Sequence, residues 1–206
     1  MIFPNKKYFS CRDFYIDYNN KLSQTFKNNH FDVLVKITKF LEKKIKTKNQ
    51  IFVCGNGGSA SISNHFLCDF NKGIKLSSKY KLIPKVISLS NSVELITAIA
   101  NDISFDEIFK NQLENLGNKN DIILIFSCSG KSSNILEVVK LARQKKIDVI
   151  SFIGFGDNSY LKKNSKFYIN LDTKNYGLTE DLFQSIMHMI SQYLRMKHLK
   201  NKKDVL

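Results

Sequence analysis

The stretch Ile51-Phe-Val-Cys-Gly-Asn-Gly-Gly-Ser-Ala60 decides the fold of this chain. Four apolar residues predict a short buried strand, and the glycines after them predict a turn into a helix. A helix that begins directly after a strand directs backbone N–H groups at any anion above the strand end. His65 and Asp69 lie four residues apart on this helix and therefore share a face. The stretch predicts that a polar ligand and a possible catalytic pair meet at one place.

Helix and strand patterns alternate along the rest of the chain. Two helices come first, over about residues 12–27 and over a second segment with apolar residues at helical spacing from Phe31 to Ile45. The predicted strands are 51–54, 85–89, 121–127, 147–153 and 167–171. The predicted later helices are 59–70, 92–100, 105–116, 132–145 and 178–199.

The apolar strand 122–126 indicates the fold class, because its uninterrupted pattern is typical of burial on both faces. Strands of this kind that alternate with helices predict an α/β protein with a parallel sheet and right-handed crossovers. We expect one domain over residues 1–206. It would comprise a helical segment 1–48, a core with the final helix 49–199, and a basic tail 200–206. Ligands of such sheets bind beyond the strand ends, in loops 55–59, 90–92 and 127–134.

Composition narrows the class of protein. The formal net charge of +14 permits nucleic-acid binding, but the lysines are scattered, which favours a solvated surface and a mild attraction for sugar phosphates. The apolar run 122–126 is far too short for a membrane span, and the N-terminus has no apolar signal core. The four cysteines show no metal-binding spacing. We therefore expect a cytoplasmic protein with reduced thiols that binds neither nucleic acid nor membrane.

A second small-residue loop, Ser127-Cys-Ser-Gly-Lys-Ser-Ser-Asn134, follows the most apolar strand and opens a helix. Its hydroxyl groups and glycine allow a phosphate to approach the helix N-terminus. The spacing of a P-loop is absent, so a sugar phosphate suits this loop better than a nucleoside triphosphate. The loop alone fits an ordinary capped turn equally well.

Three motifs together resemble the SIS (sugar isomerase) domain and, within it, the phosphoheptose isomerases. They are Cys54-Gly-Asn-Gly-Gly-Ser59 with His65, Thr97-Ala-Ile-Ala-Asn-Asp102, and Ser127-Cys-Ser-Gly-Lys-Ser132 with Asn134. The resemblance covers about residues 30–195. It implies a three-layer, flavodoxin-like α/β fold and a homotetramer with sites at subunit interfaces. It also implies a zinc ion in each subunit.

The resemblance also assigns roles to individual residues. Asp69 and His188 match the catalytic positions. Metal ligation is implied for His65, Asp69, Glu180 and His188. Substrate binding is implied for Asn56, Gly57, Gly58, Ser59, Asp69, Asn101, Asp102, Ser127, Cys128, Ser129, Ser132 and Glu180.

This chain departs from the family pattern at three positions. Asp69 stands where Glu is usual, which shortens the carboxylate by one methylene. Glu180 stands where Gln is usual, which adds a negative charge. Cys128 replaces a usual Thr, which removes a hydroxyl, while Lys131 adds a positive charge nearby.

Helix geometry constrains the implied metal site. Glu180 and His188 are eight residues apart, or about 12 Å along an ideal helix. Both reach one ion only if their side chains converge or if Glu180 lies at an uncoiled helix start, for which Tyr176-Gly177 offers a place.

Taken singly, the same residues have ordinary structural explanations. His188 lies among apolar residues that are typical of a core position, and His65 fits a partly buried helix site. Asp69 fits a surface charge, and Glu180 fits a first-turn acid that favours the helix dipole. The pair Asn101–Asp102 fits a helix end. The order of the motifs favours the functional interpretation.

We expect an aldose–ketose isomerase that converts sedoheptulose 7-phosphate to D-glycero-D-manno-heptose 7-phosphate, as either anomer, for lipopolysaccharide or capsule precursors. Ser59, Ser127, Ser129 and Ser132 would hold the phosphate or hydroxyls. One alternative is a non-catalytic SIS module that binds a phosphosugar or a protein partner, like the replication-initiator-associated members. The histidine in the last helix argues against that alternative. A second alternative is an isomerase for another sugar phosphate.

Overall fold

The computed structural model describes residues 3–156 and 159–199, so the predicted basic tail lies outside the described residues. Its five-stranded sheet has the order β2-β1-β3-β4-β5, and every pair is parallel. The strands are β1 (Ile51–Cys54), β2 (Val86–Ser88), β3 (Ile122–Ser127), β4 (Asp148–Ile153) and β5 (Phe167–Asn170). This order is that of a flavodoxin-like sheet, which confirms the predicted fold class.

Helices connect and cover these strands. They are α1 (Cys11–Thr25), α2 (Asn28–Lys46), α3 (Gly58–Cys68), α4 (Lys75–Ser77), α5 (Val93–Asp102), α6 (Lys110–Leu116), α7 (Ser133–Gln144), α8 (Ser159–Asn164) and α9 (Tyr176–Lys197). A 3₁₀ turn, Phe105–Glu107, precedes α6. Helix α8 was not predicted, because it has only six residues and one buried apolar side chain, Leu161.

Two apolar cores lie on opposite faces of the sheet, because alternate residues of each strand point in opposite directions. Ile51 and Val53 of β1 join the core beneath α2, α3 and α9. Phe52 and Cys54 join the other core, beneath α5, α6, α7 and α8. The helices and sheet therefore form three layers, and α3 and α9 share one of them.

The helix after the glycine turn is longer than predicted. Past α3 it continues as a π-helical segment, Asp69–Ile74, and then as α4. Phe70 and Ile74 are fully buried, and the ring of Phe70 stacks on Phe66 at 3.9 Å. Burial of these apolar side chains stabilises the continuation of the helix. Asp69 lies where the wider π-helical turn begins. Single-turn π segments are frequent at functional sites.

Both ends of α9 are fixed to the N-terminal helices. At its start, the hydroxyl of Tyr18 in α1 donates to Asp181 at 2.5 Å. At its end, Lys197 and His198 reach the buried carboxylate of Glu42 in α2. Burial opposes ionisation of Glu42, but hydrogen bonds from Lys197, Lys46 and His198 outweigh it and lower the pKa of Glu42 to about 2. The position of α9 along the sheet is thus determined at two points.

Among the described residues, no helix combines the length and apolar character that crossing a membrane requires.

Replacement of Phe126 by Ala should lower the free energy of unfolding by about 3–5 kcal/mol, because a fully buried aromatic ring is removed. Phe126 is 1% exposed and stacks on Phe152 at 5.0 Å. Urea denaturation measures the change. Phe9→Ala is the control, since Phe9 is 93% exposed and its loss should cost less than about 0.5 kcal/mol. Equal effects of the two variants would contradict the described core.

Candidate active site

The ends of β1 and β3 carry the two glycine-serine loops of the sequence analysis. Gly57 adopts φ +56° and ψ −127° immediately before α3, a backbone conformation that side chains other than glycine rarely adopt. Asn134, fully buried in α7, exchanges two amide hydrogen bonds with Asn56, at 3.0 and 2.9 Å. This reciprocal pair joins the two loops side by side.

The second loop is shaped by its own hydroxyl groups. Ser127 Oγ accepts from the Gly130 backbone N–H at 3.0 Å, and Ser129 Oγ accepts from the Lys131 N–H at 3.3 Å. Ser132 precedes α7, and its side chain makes no capping hydrogen bond. The Ser132 hydroxyl and the N–H groups of Ser133 and Asn134, at the start of α7, are therefore available to a ligand.

A cavity of about 360 Å³ lies between the two loops. It is lined by Asn56, Gly57, Gly58, Ser59, Phe126, Ser127, Cys128, Ser129, Ser132, Tyr176 and Glu180. The structure thus gathers nine of the predicted substrate-binding residues around one space. Helices α3 and α7 begin directly after the two loops, and the positive ends of their dipoles favour an anion in the cavity.

Glu180 is the acidic group of this cavity. Its carboxylate lies against Gly58, where an added Cβ atom would be 2.3 Å from Oε2. The Cys128 thiol lies 3.8 Å from Glu180 Oε1 and 3.8 Å from Ser59 Oγ. The pKa of Cys128 is raised to about 12, mainly by burial; the contact with Ser59 acts in the opposite direction, and the charge of Glu180 adds to the increase. Cys128 is therefore a protonated thiol at neutral pH.

A cluster of two imidazoles and one carboxylate lies farther along α3 and α9. His65 Nε2 is 3.6 Å from Asp69 Oδ1, and His188 Nε2 is 4.0 Å from Asp69 Oδ2. The two rings meet edge to face with centroids 5.0 Å apart. Ser191 Oγ donates to Asp69 Oδ2 at 2.9 Å and holds the carboxylate in place. The structure therefore brings together three of the four predicted metal ligands.

The donor set suits a divalent metal. One ligand atom from each of His65, Asp69 and His188 lies within 4.8 Å of the others. Ligand atoms of a tetrahedral zinc site, with bonds of about 2.1 Å, lie roughly 3.4 Å apart, so small side-chain movements would bring the three to bonding distance. Two imidazoles and a carboxylate are also the ligand types that zinc takes in catalytic sites.

Two parts of the predicted site lie elsewhere. Glu180 is outside this cluster because α9 already begins at Tyr176, capped by Asn175, so no uncoiled start shortens the distance of about 12 Å to His188. Asn101 and Asp102 are exposed at the end of α5, hydrogen bonded to each other at 2.8 Å, and are not among the residues that line the cavity. Their proposed substrate contacts stay a prediction.

Gln184 belongs to this cluster although its sequence pattern did not predict it. Its side-chain amide nitrogen lies 2.8 Å from His65 Nδ1 and 3.1 Å from His188 Nε2. The available signal was its position four residues before His188, which places both side chains on one face of the helix.

The chain resembles known proteins in sequence and in fold. The SIS domain family matches residues 14–154. Phosphoheptose isomerase from Campylobacter jejuni is 36% identical over 164 residues, which are 78% of this chain and 84% of that protein. The enzyme from Helicobacter pylori strain Shi470 is 31% identical over 165 residues, 79% of this chain and 82% of that protein. The structure of phosphoheptose isomerase from Neisseria gonorrhoeae superposes with a TM-score of 0.79 at 22% identity, covering 90% and 97% of the two chains.

The fold, the two-loop cavity and the family match define a SIS-domain protein. Within that class the chain belongs to the phosphoheptose isomerase family, and it is an isomerase.

Alkylation tests the described surroundings of Cys128. Thiolates react faster than thiols, so iodoacetamide at mildly alkaline pH should modify the exposed Cys11 and Cys68 well before Cys128. Glu180→Gln removes a charge that raises the pKa of Cys128, so the reaction there should accelerate several-fold.

Peptide mass mapping measures each cysteine separately. Cys54 is the internal control, since it is buried and its pKa is raised by burial alone. It should react equally slowly in both proteins. If Cys128 in the unmodified sequence reacted as fast as Cys11, the described cavity would be incorrect.

Proposed function

We propose that this isomerase converts sedoheptulose 7-phosphate to D-glycero-D-manno-heptose 7-phosphate, and that the cavity between the two loops holds the phosphate. The cluster of His65, Asp69 and His188 would act at the carbonyl end. The observation that carries the proposal is the presence of both features along α3, the cavity at its first residue and the cluster two turns later.

Phosphate binding in the cavity is supported by the groups that line it, which favour anions. Ser132 offers a hydroxyl without a capping bond, and Ser59 and Ser127 line the same cavity. Two helix N-termini add backbone donors and partial positive charge. Glu180, which also lines the cavity, repels an anion but accepts hydrogen bonds from hydroxyl groups. We infer that Glu180 faces sugar hydroxyls rather than the phosphate.

The distance between the two features suits a long sugar. Gly58 and His65 are seven residues apart on α3, about 10 Å along the axis. An extended chain advances roughly 1.2 Å per bond, and eight bonds connect the phosphorus of a 7-phosphate to C1, which gives about 10 Å. Such a substrate would place its C1–C2 unit beside the cluster while its phosphate stays in the cavity.

The reaction needs a proton to leave one carbon and return to its neighbour through an enediol. Asp69 would accept the proton from C1 of the ketose and return it to C2, because its carboxylate faces both imidazoles. His188 would either exchange protons with the substrate oxygens or serve as a metal ligand. A zinc ion held by His65, Asp69 and His188 would supply positive charge to stabilise those oxygens.

The wider setting completes the proposal. We infer a homotetramer with sites at subunit interfaces, in which exposed groups such as Asn101 and Asp102 would contribute to a neighbouring site. All four cysteines are free, which fits the reducing cytoplasm. The product would serve lipopolysaccharide or capsule synthesis.

The direct test is incubation with sedoheptulose 7-phosphate in D₂O, followed by NMR of the product. We expect a heptose 7-phosphate that carries deuterium at C2, because a protein-borne proton exchanges with solvent during the enediol step. Five- and six-carbon ketose phosphates assayed in parallel test the alternative substrates. Failure to convert the heptulose while a shorter sugar reacts would contradict the proposed substrate.

Asp69→Asn should lower kcat by about 10²–10⁴-fold, since an amide cannot accept the proton. The KM should change little, because the cavity is two turns away. Steady-state kinetics measures both constants. Asp32→Asn, on the exposed surface of α2, is the matched control and should behave like the unmodified protein. An Asp69→Asn variant with near-normal kcat would remove Asp69 from the chemistry.

Ser132→Ala should raise the KM about 10–150-fold, because a hydrogen bond to a charged group is worth roughly 1.5–3 kcal/mol, and should leave kcat similar. Ser133→Ala is the control, since the Ser133 hydroxyl donates to Asp106 rather than lining the cavity. The reverse pattern, with only Ser133→Ala affecting the KM, would place the phosphate elsewhere.

A further inference from the structure

Gln184 lies between the two imidazoles of the cluster. One atom of its side-chain amide approaches both His65 Nδ1 and His188 Nε2, at 2.8 and 3.1 Å. Both distances are those of hydrogen bonds, although the two histidines come from different helices. Gln184 therefore connects the α3 side of the cluster to the α9 side, as the hydrogen bond from Ser191 to Asp69 also does.

The chemistry of a carboxamide suits this position. It carries two N–H donors and one carbonyl oxygen on a planar group, and rotation by half a turn exchanges them. With the nitrogen towards the rings, it donates one hydrogen to each, so His65 Nδ1 and His188 Nε2 both present lone pairs. The proton of His65 is then on Nε2, which faces Asp69 Oδ1 at 3.6 Å.

A bound metal ion would require the opposite tautomer of His65. If Nε2 of His65 binds the metal, its proton moves to Nδ1 and needs an acceptor. The Gln184 oxygen can take that role after the half-turn. Metal-binding histidines commonly donate their second N–H to a carbonyl or carboxylate that orients the ring. Ser191 already holds Asp69 in the same manner, at 2.9 Å.

We propose that Gln184, and not Glu180, is the fourth member of the metal site of this chain, as a positioning residue that orients His65 towards a divalent ion. Its contact with His188 Nε2 would give way when that nitrogen binds the ion. The inference deepens the proposed function and rests on it. Glu180 lies two turns from His188, with its carboxylate against Gly58 in the cavity, and so belongs to the substrate. One polar face of α9 thus carries both a carboxylate that binds substrate, Glu180, and a residue that positions a metal ligand, Gln184.

Metal binding by the full-length chain tests the inference without any activity assay. Zinc affinity is measured by competition with a chromophoric chelator, and Co²⁺ is added separately to record its d–d absorption. Gln184→Ala should weaken zinc binding about 10–100-fold. It should also change the Co²⁺ spectrum. Glu180→Gln and the control Ser185→Ala, an exposed neighbour on α9, should leave both unchanged.

Imidazole NMR supplies a second readout that a general loss of folding would not imitate. The chain has four histidines. In metal-free Gln184→Ala, the ring ¹⁵N signals of His65 and His188 should shift, because the tautomers are no longer fixed. Those of His30 and His198 should stay in place.

Three results would overturn the inference. They are no zinc binding by the unmodified chain, unchanged affinity in Gln184→Ala, or a loss of affinity in Glu180→Gln alone. Turnover of the heptulose phosphate by the unmodified chain is scored separately. If the chain converts the heptulose phosphate but its zinc affinity does not depend on Gln184, only the inference is rejected. A Gln184-dependent metal site without turnover of any sugar phosphate would reject only the proposed function.

Discussion

The reciprocal amide pair between Asn56 and Asn134 is the contact on which the site depends. Parallel strands β1 and β3 end side by side, but strand pairing stops before the loops begin. The two amide hydrogen bonds extend the connection into the loops and satisfy polar groups that would otherwise be costly to bury. With Asn134 fully buried, the pair fixes the starts of α3 and α7 relative to each other. The cavity therefore lies between the N-termini of α3 and α7.

The long helix α9 provides the opposite wall. Its apolar face packs on the sheet through residues such as Phe183, Ile186 and Ile190, so its rotation about its own axis is fixed. The remaining face carries Glu180, Gln184, His188 and Ser191, at helical spacing of four, four and three residues. Because α3 packs against α9, each of these side chains contacts a partner on α3 or at one of the two ends of α3. The group proposed to bind substrate hydroxyls and the groups proposed to bind the metal therefore lie at different positions along the pair formed by α3 and α9.

Much of this could be predicted from the sequence because the determining signals are local. The apolar run of β3 and the glycine turn after β1 specify a parallel sheet and the position of its ligand edge. Motif order identified His65, Asp69 and His188, which the structure brings together. Glu180 was assigned to the metal by resemblance, whereas the regular helix from Tyr176 keeps it in the cavity.

The rest depends on contacts between distant segments, which a single sequence does not reveal. Gln184 gains its importance only from a residue on another helix, His65. The π-helical segment is stabilised by burial of Phe70 and Ile74, whose spacing is compatible with an ordinary helix as well. Asn101 and Asp102 are exposed at the end of α5 and do not line the cavity, so their predicted substrate contacts stay a prediction.

The central claim is that the sugar phosphate lies between the two loops and extends along α3 to the histidine cluster. Backbone amide NMR during titration with sedoheptulose 7-phosphate tests it most directly. The account predicts that the largest shifts occur at Gly58, Ser59, Ser129 and Ser132, together with changes in the rings of His65 and His188. Shifts concentrated instead at the basic cavity around Lys36, Lys162 and Lys166, with the two loops unaffected, would contradict it.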